Sequence, residues 1–184
     1  MLPVPRRVEE VKPLRITLPQ KWSNVDKRFL RLVIDNLSSV EYGVAVRNDG
    51  SYVTTRGGEG AINLSEGQTN PNYIYKIHSH PNATPPSVHD VLVFWADKTE
   101  TMGFVVSDKW SEVEIWGMRI VKKERDRNRV FDLYSEYTER QKYVASAGFR
   151  SALLEPAQKF ASEIGIEVEH IATVKKPRLA RRPH

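Results

Sequence analysis

The sequence predicts a single mixed α/β domain followed by a helical extension, and three observations predict it. Segments with the apolar repeat of a helix alternate with short β-branched runs, in the order helix, hairpin, strand, helix, strands, helices. The chain has 184 residues, enough for one domain with a full core. Its 40% hydrophobic and 28% charged residues match a soluble globular protein and exclude a disordered or fibrous one. The expected organisation is an extended segment over 1–22, a domain over 23–125, a helical extension over 126–174 packed on it, and a basic tail over 175–184.

Residues 1–22 are spaced by Pro3, Pro5, Pro13 and Pro19 and are expected to be extended, with one strand at "LRITL". A helix is predicted from Asn24 as N-cap, with Phe29, Val33 and Leu37 at i, i+4 and i+8 and Leu30 and Ile34 beside them. "VEYGVAVRNDGSYVTT" reads as a hairpin turning through Asn48-Asp49-Gly50, and "RGGEG" as a loop. Tyr73 to Ile77 form a short strand that runs into His78. Ser87 opens a second helix, Val88 to about Asp97, dense enough in apolar residues to be buried. "MGFVVS" and "SEVEIWGMRIV" read as two strands with Asp108 and Lys109 in the turn between them. From about Arg127 the pattern becomes helical over two segments, with Gly165 as the stop. "IEVEHIATV" reads either as a last strand or as an extended arm, and the four tryptophans are expected in the core or at its rim.

Charge and composition narrow the function less than the motifs do. The net charge is +5, and Lys175, Lys176, Arg178, Arg181 and Arg182 of the last ten residues account for the whole excess. Such a tail can touch nucleic acid or an acidic partner, but the reading preferred here is a solvated terminus. There is no cysteine, so disulfides, thiolate metal sites and cysteine nucleophiles are excluded. No apolar run is long enough to span a bilayer, and the N-terminus lacks the apolar stretch of a secretory signal, so the cytoplasm is the expected compartment. "RGGEGAINLSEGQ" lacks the Gly-Lys-Ser/Thr ending of a phosphate loop.

The chemistry concentrates in "IYKIHSHPNATPPSVHDVLVFW", which holds three of the five histidines. On a strand, His78 and His80 project from the same face about 6–7 Å apart, within reach of one ion bound at about 2.0–2.1 Å per ligand. Pro81 ends the ladder, and the loop that follows returns Asp90 in the first turn of the next helix. Two histidines and one aspartate leave a fourth tetrahedral position for water, the open arrangement of a catalytic zinc. Ser87-x-x-Asp90 also has the form of a capping box, which by itself explains both residues. What favours the metal is the conjunction of H-S-H-P, a short loop and P-S-x-x-D where a strand end meets a helix start.

His78-Ser79-His80-Pro81 followed by Pro86-Ser87-Val88-His89-Asp90 resembles the zinc signature of the JAMM (JAB, MPN-plus) metallopeptidases of prokaryotic type. That signature is H-x-H, a spacer, then S-x-x-D; here the spacer is one residue shorter than its commonest form. The resemblance covers roughly Asn24 to Ile120 and implies a JAB/MPN-type domain, a cytidine-deaminase-like mixed sheet flanked by helices. It implies one zinc ion on His78, His80 and Asp90, with Ser87 stabilising the oxyanion. It also implies a glutamate general acid/base at the start of a strand after the first helix, which corresponds here to Glu41 in "SSVEYGVAV". A carboxylate opening an apolar strand is a poor packing choice, because burying it unpaired is costly. The rivals, Glu59 and Glu66, lie in glycine-containing loops.

The implied activity is hydrolysis of peptide or isopeptide bonds at the C-terminus of a ubiquitin-like or sulfur-carrier protein, with an E1-like activating enzyme in the same pathway. Two other classes stand beside it: a non-catalytic MPN-type scaffold, whose members typically lack a zinc ligand, and a DNA-associated member of the superfamily using the basic tail. His89 is expected to be non-ligating, since it points roughly 100° away from Asp90 around the helix. His170 and His184 are assigned no role.

Overall fold

The computed structural model of the chain describes residues 7–57, 73–97, 102–148 and 150–176. Its elements, in order, are α1 (Lys27–Asp35), β1 (Tyr42–Arg47), β2 (Tyr52–Arg56), β3 (Tyr73–His80), α2 (Val88–Ala96), β4 (Met102–Lys109), β5 (Glu112–Ile120), α3 (Arg127–Ser146), α4 (Leu154–Glu163) and β6 (Ile166–Lys175). The six strands form one sheet in the order β2-β1-β3-β4-β5-β6. Only β3 and β4 run parallel, joined across α2; the other pairs are antiparallel. The fold is therefore α/β, a mixed sheet flanked by helices.

Strand alternation sends successive residues to opposite faces, and each face has its own core. Tyr42, Val44, Tyr75, Ile77, Phe104, Val106 and Ile115 meet Phe29, Leu30 and Val33 of α1 on one side. Val105, Trp116 and Met118 meet Val91 and Phe94 of α2, Tyr137 of α3 and Phe160 of α4 on the other. His78 and His80 share the second face with Lys76, whose Nζ lies 2.7 Å from Asp97 Oδ2, an ion pair with both partners buried. The N-terminal segment straps the first face: the Val8 amide donates to Tyr52 Oη at 3.1 Å, and Lys21 reaches Glu167 at 2.7 Å on the far edge. Trp22, fully buried, lies flat over Gly117, where a Cβ would come within 2.7–2.9 Å of its ring.

Several local expectations are corrected. "LRITL" forms no strand; residues 8–10 and 20–22 are short 3-10 turns, and Leu14, Ile16 and Leu18 pack on the core without pairing. The first helix is capped by Asp26 rather than Asn24: its carboxylate accepts the Arg28 amide at 2.9 Å, and the helix ends before Leu37. Ser23 and Asn24 stay in the turn that follows the 3-10 segment at 20–22, and Val25 is a bend before the helix begins. The β4–β5 turn is Trp110-Ser111, not Asp108-Lys109, which pair with Val113 and Glu112. Trp110 is not packed at all: it is 95% exposed with φ of 53°, while Trp22, Trp95 and Trp116 are buried. "IEVEHIATV" is a strand, not an arm. It pairs with β5 along its length, with Ile171 as the extra residue of a bulge, so the segment after Arg127 adds a sixth strand as well as helices.

Candidate metal centre

The β1–β3 ladder sets the site. Gly43 stands opposite His78, and continuing that register by two residues brings Glu41 to the level of His80 on the same face. The Ser79 hydroxyl points to the other face and accepts the Tyr42 amide at 2.9 Å, which pins the end of β1 beside β3. β3 extends to His80, so both histidines sit in regular strand and not in a loop.

Ser87 caps α2 as the S-x-x-D spacing predicts. Its Oγ accepts the Asp90 amide at 3.1 Å, and Asp90 Oδ2 accepts the Ser87 amide at 2.6 Å, a complete capping box. The Val88 amide, a further free donor of that helix end, goes to Gln141 Oε1 of α3 at 2.8 Å. Oδ2 serves the cap and Oδ1 faces His78. His78 Nε2 lies 3.1 Å from Asp90 Oδ1 and 3.1 Å from His80 Nε2, and His80 Nε2 lies 3.5 Å from Asp90 Oδ2.

Ligands at about 2.0–2.1 Å with tetrahedral angles are about 3.3 Å apart. The His78–His80 and His78–Asp90 separations are close to that value, and His78, His80 and Asp90 form a group that could hold a metal ion. The tautomer agrees. His80 Nδ1 lies 3.1 Å from the Thr84 carbonyl, which only accepts, so Nδ1 carries a proton, and in the neutral ring it is Nε2 that turns a lone pair inward. The one-residue-shorter spacer does not keep the ligand atoms apart.

The electrostatics follow from burial and proximity. Burial favours neutral His80, but Asp90, the Thr84 carbonyl and the Glu41 carboxylate outweigh it and raise the imidazole from 6.5 to about 9. Burial likewise pushes Asp90 upward, and the two imidazoles overcome it, holding the carboxyl well below its ordinary range. The influence of Glu41 on His80 places its charge beside the cluster.

Of the remaining expected residues, Ser87 sits at the site, with its single proton directed to Asp90 Oδ2 at 2.6 Å. Service to an oxyanion requires that hydroxyl to turn from Asp90 toward substrate. Glu59 and Glu66 lie outside the described residues. His89 is exposed, with Nδ1 3.4 Å from Tyr134 Oη, and does not join the cluster; His170 packs against Trp116 instead. Thr84, Ser107 and Gln141 were not legible as site residues. Thr84 had one faint signal, the Pro85 that restricts it to extended backbone. No described helix is long and apolar enough to cross a membrane. Comparison of the chain with protein-family models, curated proteins and solved structures gives no match.

Proposed function

We propose that this chain is a zinc-dependent hydrolase of peptide or isopeptide bonds, built on a JAB/MPN-type domain. The observation that supports the reading is the convergence of His78, His80 and Asp90 into a group that could hold a metal ion, with Glu41 level with His80 on the neighbouring strand. A bound zinc ion supplies Lewis acidity and brings water activation into the neutral pH range.

The chain's own groups account for the rest. Glu41, at the mouth of β1, takes a proton from the attacking water and delivers it to the leaving amine. Ser87, at the head of α2, donates its hydroxyl to the oxygen of the scissile carbonyl as charge develops there. Strand β3 and the capped end of α2 keep these groups on regular backbone rather than on loops. The substrate class follows the sequence resemblance: the C-terminal residues of a ubiquitin-like or sulfur-carrier protein, with an E1-like activating enzyme in the same pathway.

Elemental analysis and turnover test this reading together. The purified chain is expected to hold one zinc ion, lost in the double variant His78→Ala, His80→Ala. Glu41→Gln is expected to keep the ion and to lose about 10²–10⁴ in turnover of a carrier protein bearing a C-terminal fluorogenic amide. Equal, negligible zinc in wild type and double variant would sink the site. Loss of zinc from Glu41→Gln would show that Glu41 is a ligand rather than a base.

A further inference from the structure

We propose that Ser107, on β4, is a positioning residue for His80, acting through the backbone carbonyl of Thr84 to fix the tautomer that metal binding requires. The proposal rests on the metal-site reading above and extends it to residues outside the signature. Ser107 stands directly opposite His80 in the parallel β3–β4 ladder and has no solvent exposure. Its Oγ donates to the Thr84 carbonyl at 2.6 Å, and the same oxygen accepts from His80 Nδ1 at 3.1 Å. One carbonyl is thus held between two donors, one from each strand. The Thr84 hydroxyl is also close, 3.3 Å from Nδ1.

The loop is built to aim that carbonyl. Ala83 takes φ of 57°, a left-handed conformation that alanine rarely adopts. Pro85 and Pro86 follow and remove backbone freedom on the other side. With the carbonyl fixed, the Nδ1 proton of His80 has a good acceptor, and once the ring is neutral its lone pair is on Nε2, facing His78 and Asp90. If the carbonyl turns away, His80 can carry its proton on Nε2, where it blocks ligation. Outer-shell acceptors of this kind orient ligating imidazoles in metal sites generally.

The experiment compares wild type, Ser107→Ala and Ser107→Thr by zinc affinity and by the imidazole nitrogen resonances of His80. Zinc affinity is read by competition with a chromophoric chelator. Ser107→Ala is expected to weaken zinc by about 10–100-fold. In the zinc-loaded protein its His80 Nδ1 proton should exchange with solvent faster than in wild type. Ser107→Thr, which keeps the hydroxyl, is expected to restore both. Should Ser107→Thr fail to fold, the proton-exchange measurement on Ser107→Ala decides alone, because a merely structural hydroxyl would leave the His80 proton unchanged. Zinc affinity and Nδ1 exchange both unaltered in Ser107→Ala would overturn the proposal while leaving the metal site standing. A wild-type chain that takes up no zinc would overturn the metal site, and this proposal with it.

Discussion

Metal uptake at this site should be coupled to the release of about one proton at neutral pH. The perturbation is pH itself. In the metal-free protein the Asp90 carboxylate and its neighbours raise His80 to about 9. At pH 7 only about one molecule in a hundred therefore has a neutral His80 ready to ligate. Asp90, held well below its ordinary range, needs no deprotonation. The apparent zinc affinity should then rise about tenfold per pH unit from pH 7 and level off near pH 9, about a hundredfold in all. Chelator competition between pH 6.5 and 9.5, corrected for the chelator's own protonation, measures the slope. Calorimetry in buffers of different ionisation enthalpy counts the proton. A flat affinity across this range, with no proton released at pH 7, would refute the reasoning. The same shift sets the stability of the metal-free protein. His80 is raised above its unfolded value of 6.5, so its protonated ring contributes stability that is complete below about pH 6.5 and is lost as pH rises through about 9. Metal-free Tm should accordingly decline over that window, and saturating zinc should remove the decline.

Two substitutions away from the site test the packing. Gly117→Ala places a methyl within 2.7 Å of the Trp22 ring, which is enclosed on the far face of the sheet, and should lower stability in urea by about 1–3 kcal/mol with zinc stoichiometry unchanged. An unaltered unfolding midpoint would mean that the N-terminal strap slides freely over β5. Trp110→Asn replaces an exposed ring held at φ of 53° by a residue that tolerates this conformation, and should raise stability by about 1 kcal/mol. A loss of stability would show that the indole is held against the hairpin after all.

What the sequence made legible was local. His78 and His80 share a strand, so period-two alternation alone places them on one face. Asp90 is tied to Ser87 by a three-residue spacing that either reading of the motif demands. Glu41 was harder, since a glutamate near a strand start becomes a site residue only through the β1–β3 register that brings it level with His80. Thr84, Ser107 and Gln141 carry no comparable mark: one acts through its carbonyl, and the others come from 23 and 53 residues away. The errors have the same origin. Asn24 and Asp26 are both good N-cap residue types, so local sequence rules do not separate them; the carboxylate of Asp26 is the one that accepts the helix amide. Leu14, Ile16 and Leu18 alternate like a strand, yet they serve as pegs on the core, packing on a face of the sheet without joining its ladder. The tip of the β4–β5 hairpin was misplaced because a tryptophan is a poor candidate for a left-handed turn.

The motif also resolves an opposition that its spacing raised. A capping aspartate and a ligating aspartate look like rival explanations of one residue, but a carboxylate has two oxygens and the Ser87 bonds occupy only one of them. Oδ2 accepts the Ser87 amide and hydroxyl, and Oδ1 stands 3.1 Å from His78 Nε2. The cap fixes the carboxylate plane, and the plane directs the second oxygen toward His78, so helix initiation would position Asp90 for the proposed metal. Gln141 extends the argument to α3. By accepting the Val88 amide it holds the head of α2 from outside the H-x-H…S-x-x-D segment, which gives the C-terminal helices a mechanical part in a site they do not line.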